Sequence, residues 1–190
     1  MKKTFLLAAA AMMIASNVGA QTGYDDTKHE VAIRYGVLPN SKIFHNNVDY
    51  ENETYSGSFS AEYFYHAKEW LSIGCVFAYG KWKADYIKYD YITGEDKKET
   101  NYYTFMPAVK FDYIRKKNFG MYSKAALGVS KSSTTDTYTD GSTHKFSAEY
   151  DLNFQATFLG IEAGSPYLRG FAELGIGEQG IASIGVRYKF

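Results

Sequence analysis

Apolar and polar residues alternate strictly at the end of the chain. Even positions carry Ala182, Ile184, Val186, Tyr188 and Phe190, and the odd positions between them carry Ser183, Gly185, Arg187 and Lys189. Successive side chains of a β-strand point to opposite faces, so one face here is apolar and the other carries two cations. An apolar face that ends on an aromatic residue needs a cover, and a lipid bilayer provides one. The pattern predicts a transmembrane β-strand.

The same period of two recurs along the chain, and helical periodicity is absent. The predicted strands are Glu30–Val37, Tyr55–Tyr65, Trp70–Trp82, Tyr102–Tyr113, Phe119–Val129, Asn153–Ala163, Leu168–Gly177 and Gly180–Phe190. No run after residue 20 is apolar enough to span a bilayer as a helix, so a membrane protein with this sequence must be a closed barrel. We therefore predict an all-β fold, an eight-stranded antiparallel up-and-down transmembrane β-barrel. Pro107 lacks an N–H within the fourth strand, and a local bulge is expected there.

The connections between the predicted strands alternate in length. Those after the second, fourth and sixth strands are short, and those after the first, third and fifth span roughly 17 to 23 residues. Outer-membrane barrels have short periplasmic turns and longer outer loops. Turn signals at Asp140-Gly141 and Thr93-Gly94 leave two alternatives: strands three to six continue as a protruding ribbon, or mobile polar loops join them. The connection Glu178-Gln179 is an exception because it is very short.

The composition adds aromatic residues and a balanced charge. The chain has 18 Tyr, 13 Phe and 2 Trp, and such rings favour membrane–water interfaces. A soluble β-sandwich also uses many aromatic residues, so composition alone does not separate the two folds. Without Lys2 and Lys3 the chain carries 19 basic and 21 acidic residues, a balance that argues against nucleic acid as a partner.

The first twenty residues have the features of an export signal. Lys2 and Lys3 precede an apolar run from Phe5 to Ala15, and Val18-Gly19-Ala20 is a small-residue cleavage pattern. We predict a signal peptide at residues 1–20 and one outer-membrane β-barrel domain at residues 21–190. Cys75 is the only cysteine and lies far from the cleavage site, which excludes an N-terminal lipid anchor and an internal disulfide.

The whole chain after the signal peptide resembles the small eight-stranded outer-membrane β-barrel family, of the OmpA transmembrane domain and OmpX-like kind. The resemblance is carried by the strand Leu174-Gly175-Ile176-Gly177, the alternation of Tyr103–Tyr113, the ending on Phe190 and the signal peptide. It implies location in the cell outer membrane, and it implies that the barrel assembly machinery recognises Phe190 as an assembly signal. These motifs are architectural and do not specify an activity.

The inward faces of the predicted strands carry charges of both signs. The alternation places six cations and five anions inside: Glu30, Arg34, Glu62, Lys110, Asp112, Lys124, Glu162, Arg169, Glu173, Arg187 and Lys189. An eight-stranded barrel is just wide enough for side chains to fill it. Buried charges must be paired, so the set predicts a packed polar core, a structural charge network. The alternative is a charged pore lining, which should show an excess of one sign.

The turn at Ser165-Pro166 suggests which of these charges meet. If it is a two-residue loop, Glu162 lies opposite Arg169 across the sixth and seventh strands. The short connection that follows would place Glu173 diagonal to Arg187 across the seventh and eighth strands. Both pairs would then bring opposite charges together in a poorly hydrated space.

Catalytic and metal-binding patterns are weak. Outer-membrane lipid A deacylases use a His and a Ser two residues apart on one strand, whereas Lys68 follows His66 and Phe146 follows His144 at that spacing. A palmitoyl-transferring site would need an outer-rim His, Ser and acid, and His45 with Asp49 offers no more than any polar loop. A calcium site is conceivable in the first long loop, because carboxylate and amide oxygens suit calcium, but its residues have no fixed spacing. They are His45, Asn46, Asn47, Asp49, Glu51 and Glu53.

We therefore predict no catalytic site, no cofactor and no metal. The expected role is structural or in surface interaction of the adhesion type, with a plugged interior. The expected partners are outer-membrane lipid and lipopolysaccharide, the barrel assembly machinery during insertion, and an extracellular protein or host-surface partner bound through the outer loops. A narrow passive channel, and at a lower rank a lipid-modifying enzyme, are the alternatives.

Overall fold

The computed structural model describes residues 25–39, 50–86, 95–138 and 142–190. Within these ranges it contains nine strands: β1 His29–Val37, β2 Tyr50–Lys68, β3 Leu71–Tyr86, β4 Glu95–Arg115, β5 Phe119–Tyr138, β6 Thr143–Lys145, β7 Glu149–Gly164, β8 Leu168–Gly177 and β9 Ala182–Lys189. No helix in the described ranges is long and apolar enough to cross a membrane. The predicted signal peptide lies outside these ranges.

The strands form one closed antiparallel barrel. β1 pairs with β2 on one side and with β9 on the other, and pairing continues from β2 through β3, β4, β5, β7 and β8 back to β9. The short β6 adds only three pairs to the far end of β5. Eight strands therefore build the barrel in up-and-down order, which confirms the predicted fold class.

Side chains alternate between the outer surface and the interior along each barrel strand. In β1, Glu30, Ala32 and Arg34 are buried, whereas Val31, Ile33 and Tyr35 are exposed on the outside. β-strand pleating produces this alternation, and closure of the sheet removes one face from solvent. The hydrophobic residues thus lie mainly outside, which is the inverse of a soluble protein.

The strands differ greatly in length. β1, β8 and β9 have 9, 10 and 8 residues, close to the roughly 9–11 tilted residues that cross a bilayer. β2, β4 and β5 have 19, 21 and 20 residues. The barrel end with the three short connections is called here the turn end, and the opposite end the extended end. At the extended end β2, β3, β4, β5 and β7 continue past the other three strands as a sheet, so the ribbon alternative is the correct one for the described residues.

The bulge expected at Pro107 is wrong. Phe105 lies opposite Val129 and Ala108 opposite Ala126, so the register of β4 against β5 is the same on both sides of Pro107. The β4–β5 ladder is interrupted at Met106 and Pro107, while Pro107 still lies opposite Cys75 of β3. The missing N–H therefore removes ladder pairing without inserting a residue.

The register predicted around the β7–β8 turn is also wrong, by two residues. Ser165 N donates to Leu168 O at 2.9 Å, so Pro166 and Tyr167 form the tip of the turn in place of Ser165-Pro166. Glu162 consequently lies opposite Phe171. In the neighbouring β8–β9 ladder, Glu173 lies opposite Ser183. Farther from this turn, a register shift between Thr157 and Leu159 changes the β7–β8 pairing again.

Candidate functional site

The barrel interior is the most densely charged part of the described structure. All the side chains that the alternation assigns to it lie inside, and each is at most 5% exposed: Glu30, Arg34, Glu62, Lys110, Asp112, Lys124, Glu162, Arg169, Glu173, Arg187 and Lys189. Because every barrel strand contributes inward side chains to one narrow space, charges distant in sequence become neighbours.

Halfway along the barrel, two cations and two carboxylates form a ring. Arg34 contacts Glu173 and lies 3.0 Å from Glu62, and the Lys124 Nζ atom lies 2.5 Å from Glu62 and 3.2 Å from Glu173. The Tyr122 hydroxyl donates to Glu173 at 2.7 Å. Each carboxylate thus contacts both cations of the ring, which compensates the cost of burying it.

Nearer the turn end, Glu162 binds three cations. Its Oε1 atom lies 2.5 Å from Arg169 Nη1 and 2.5 Å from Lys189 Nζ, and its Oε2 atom accepts a hydrogen bond from Arg187. These cations come from β8 and β9, whereas Glu162 belongs to β7. One carboxylate therefore holds three neighbouring strands together.

Arg187 joins the two charge layers. Its guanidinium carbon lies 4.7 Å from the Tyr122 ring centroid and 4.6 Å from that of Phe171, so it is enclosed by two aromatic faces. Its Nη2 atom is 4.0 Å from Glu173, at the limit of an ion pair, and its closest carboxylate is Glu162. The predicted Glu173–Arg187 pair is therefore a weak contact, while Glu162 and Arg169 do meet despite the different register.

Sequence reasoning missed Asp25, which closes the turn end. Its Oδ2 atom accepts hydrogen bonds from Arg169 Nη2 and Lys189 Nζ, each at 2.9 Å. Burial alone would raise the pKa of this carboxyl, but Lys189, the hydrogen bond from Thr27 and Arg169 hold it below its ordinary value. Asp25 precedes β1, so strand alternation carries no signal for it. It adds a sixth carboxylate to the five that the sequence placed beside six cations.

His66 is a second residue that sequence reasoning did not place in the network. Its Nε2 atom lies 3.1 Å from Glu30 Oε2, its Nδ1 atom lies 2.7 Å from Ser72 Oγ, and Ser72 donates to Asp112 at 3.2 Å. A hydroxyl, an imidazole and a carboxylate in this order are the parts of a hydrolase site. Ser72 is fully buried, however, so no substrate reaches it in this structure. Lys110 binds the other carboxylate oxygen of Glu30, so these residues form a buried structural cluster.

The short connection Glu178-Gln179 plugs the barrel from the extended end. Gln179 Nε2 donates to Glu62 at 2.7 Å and to Ser60 at 3.1 Å, and Gln179 N donates to Gln155 at 2.7 Å. Gly36 allows this inward turn, because a β-carbon there would overlap the Gln179 carbonyl oxygen. The loop that was exceptional for its length is thus part of the interior.

A cluster of apolar side chains also lies in the barrel interior. It consists of Phe64, Val76, Met106, Ala108 and Ala126, none of them more than 7% exposed. The charged layers and this apolar cluster together fill the described interior with side chains. The arrangement is suited to holding strands together and poorly suited to conducting ions.

Other predicted residues lie at the surface or outside the described ranges. Phe190 is 52% exposed and exchanges backbone hydrogen bonds of 2.9 Å with His29, where β9 meets β1. The first-loop residues His45, Asn46, Asn47 and Asp49 lie outside the described residues, and so do the side chains of Glu51 and Glu53. Among the residues whose side chains are described, no group of three His, Cys, Asp or Glu is arranged to hold a metal ion.

Comparison with known proteins identifies the fold. No family model and no curated protein matches the chain. Ail, the attachment invasion locus protein of Yersinia pestis, solved in complex with the heparin analogue sucrose octasulfate, is 11% identical, with a TM-score of 0.50 over 86% of this chain and 97% of that one. A second crystal structure of Ail is 14% identical, with a TM-score of 0.48 over 86% of this chain and 99% of that one.

The N-terminal β-barrel domain of Pseudomonas aeruginosa OprF is 11% identical, with a TM-score of 0.46 over 86% of this chain and 98% of that one. At such identities the first match shows the fold and nothing finer. The chain has the eight-stranded barrel fold of small outer-membrane proteins.

Proposed function

We propose that this chain is an integral protein of the bacterial outer membrane whose sealed barrel supports a sheet for interaction at the cell surface. Two features together support the proposal: the interior is filled, and five strands extend past the other three at the extended end. A barrel that only spans the membrane needs no strands of 19 to 21 residues.

The outer surface supports membrane insertion. Aromatic pairs lie near both barrel ends: Trp70 with Phe111 and Tyr188 with Phe190 at the turn end, and Tyr35 with Phe59 and Tyr79 with Tyr103 at the extended end. Between them the surface is apolar, with Ile33 69%, Leu127 65% and Leu174 54% exposed beside rings such as that of Phe77. An apolar band between two aromatic girdles is the surface of a transmembrane barrel.

A surface-interaction role is favoured over a channel because the interior charges are paired with one another. Lys124, Arg34 and Arg187 each have carboxylate partners, and Gln179 covers the ring from the extended end. Planar-bilayer recordings test this choice: the purified barrel should show no selective conductance. A steady, ion-selective current would favour the channel.

The comparison with Ail adds support for a surface partner, because one barrel of this fold was solved with a heparin analogue. We propose an extracellular or host-surface partner for this chain as well, with lipopolysaccharide and lipid around the barrel. A lipid-modifying enzyme remains the lower-ranked alternative, and lipid A mass spectra of a deletion strain should be unchanged.

Cysteine labelling on intact cells tests topology directly. In a Cys75→Ser background, Lys97→Cys lies on β4 in the extended sheet and Lys117→Cys lies in a short connection at the turn end. A membrane-impermeant maleimide should label Lys97→Cys on intact cells and Lys117→Cys only after lysis. The chain should also fractionate with outer membranes and migrate faster unboiled than boiled. Labelling of both sites on intact cells would contradict the proposed orientation.

A further inference from the structure

An open groove lies on the outward surface of β3, β4 and β5. It has a volume of about 350 Å³, and its outward side chains are Ile73, Pro107, Val109, Ala125 and Leu127. Val109 lies opposite both Ile73 and Ala125, so these side chains are neighbours on one face of the sheet. The groove forms because Pro107, Val109 and Ala125 are smaller than the flanking Ile73 and Leu127. Its apolar lining, between the aromatic pairs of the two barrel ends, suits an acyl chain.

Two hydroxyl groups lie on the same surface, between the groove and the turn end. The Tyr113 hydroxyl donates to Ser123 Oγ at 2.6 Å, and Tyr113 is 62% exposed. The pairing of β4 with β5 shifts by one residue between Asp112 and Ile114, so Tyr113 is the extra residue of a bulge. Bulges change the direction of a side chain. The Tyr113–Ser123 pair therefore offers hydroxyl groups to the polar part of a lipid, next to the apolar groove.

The β4–β5 turn carries two lysines beyond these hydroxyl groups. Lys116 is exposed and Lys117 is half-buried, and neither has an ion-pair partner among the described residues. Arg169 Nη2 donates to the main-chain oxygens of both lysines, each at 2.9 Å, which fixes the turn. The exposed acidic side chains described at the turn end, Asp26 and Glu69, belong to other segments. The turn is therefore a fixed site of positive charge at one end of the lipid-facing surface.

We propose that an anionic glycerophospholipid of the periplasmic leaflet binds along the β4–β5 hairpin. Its phosphate lies at the Lys116-Lys117 turn, its ester groups at the Tyr113–Ser123 pair, and one acyl chain in the groove. The order of cations, hydroxyl groups and apolar surface along the hairpin matches the order of phosphate, esters and chain in such a lipid. The inference rests on the proposed membrane orientation and names the lipid class that this side of the barrel selects.

A second copy of this chain fits the groove less well. Two barrels packed side by side through the groove, in the same membrane orientation, would bring their Lys116-Lys117 turns together. Like charges at close range repel each other. Charge complementarity therefore favours an anionic lipid over self-association. Lipopolysaccharide also carries phosphates, but it belongs to the outer leaflet, which surrounds the opposite end of the barrel in the proposed orientation.

Native mass spectrometry of the folded barrel in non-ionic micelles measures lipid binding directly. The probes are dioleoyl phosphatidylglycerol and dioleoyl phosphatidylcholine, which have the same chains and differ in head-group charge. Phosphatidylglycerol should bind about thirtyfold more tightly, because each lysine beside anionic lipid contributes roughly 1 kcal/mol and 1.4 kcal/mol is a factor of ten. Lys116→Gln with Lys117→Gln should abolish this preference. Lys97→Gln with Lys98→Gln removes the same charge from β4 at the extended end and should leave the preference unchanged.

A larger side chain in the groove tests the position of the acyl chain. Ala125→Leu should weaken the binding of both lipids about threefold, a small loss because a displaced chain still packs against apolar neighbours in the micelle. Ala172→Leu is the matched control, since Ala172 is exposed on the outward face of β8, away from the groove. It should bind both lipids like wild type. The faster migration of the unboiled protein verifies that each variant is folded.

Equal affinity for the two lipids, equal losses in the two lysine double variants, or equal binding by Ala125→Leu and Ala172→Leu would overturn the inference. So would a disulfide-linked dimer formed on oxidation in vesicles, because Cys75 lies opposite Pro107 and would join two copies docked at the groove. Labelling of Lys97→Cys on intact cells is independent of lipid binding. A failed titration with successful labelling would therefore reject the lipid site and leave the surface role in place.

Discussion

Replacing Glu162 with Gln tests whether the interior charges hold the barrel together. Glu162 is 1% exposed and contacts Arg169 and Lys189, each at 2.5 Å, together with Arg187. Gln has almost the same shape, so the substitution removes the charge without opening a cavity. Three buried cations then lose their shared carboxylate.

The expected cost follows from what these cations keep. Asp25 still lies 2.9 Å from both Arg169 and Lys189. Arg187 keeps Glu30 at 3.5 Å and Glu62 at 3.7 Å. The loss should therefore match one broken buried pair, about 3–5 kcal/mol in the free energy of unfolding, and not three such losses.

Urea unfolding in micelles, followed by tryptophan fluorescence and gel mobility, measures this cost. Glu99→Gln is the matched control: Glu99 also contacts two cations, Lys81 and Lys83, but its side chain is 35% exposed in the extended sheet. It should cost at most about 1 kcal/mol, because water screens the pair. Equally small losses for both variants would contradict this prediction, since the interior would then be hydrated well enough to solvate unpaired charges.

Three further changes test the turn end, the lipid face and the chain end. The lowered pKa of Asp25 means that its charge stabilises the fold. This stabilisation is fully present above the unfolded-state pKa of about 4 and is lost as the pH falls through the folded-state pKa. The stability gap between wild type and Asp25→Asn should thus be full at pH 7 and shrink below about pH 4; a gap independent of pH would show that the charge does not matter. Leu174→Arg places a cation on the outward face and should cost roughly 2–4 kcal/mol when refolding into vesicles is compared with Leu174→Met. No difference between the two would mean that this face does not meet lipid. Deleting Phe190 should reduce the amount of folded barrel in outer-membrane fractions, and normal insertion would argue against its role as an assembly signal.

Two of the three missed residues, Asp25 and Gln179, were missed for the same physical reason. Asp25 comes before the first strand and Gln179 lies in a connection, so neither belongs to a pattern with a period of two. His66 differs, because it follows Glu62 and Phe64 on the inward face of β2 and alternation alone would have placed it inside. Its partners Glu30 and Ser72 come from neighbouring strands, so only the assembled sheet shows what it binds.

The period-two alternation of the sequence was enough to predict the faces of the strands and, from them, the barrel. Pleating assigns each side chain to one surface, and an apolar surface on every strand needs lipid outside and leaves the charges inside. Which charges meet depends on how the strands pair in the folded barrel. A turn at Pro166-Tyr167 in place of Ser165-Pro166 moves every pairing of β7 with β8 near it by two residues, and the reach of Arg169 and Arg187 then selects Glu162 as their partner. The length of the extended strands likewise depends on pairing in the folded protein. Lipid imposes an alternation of apolar and polar residues only on the part of a strand that it covers, so the alternation does not mark where the extended strands end.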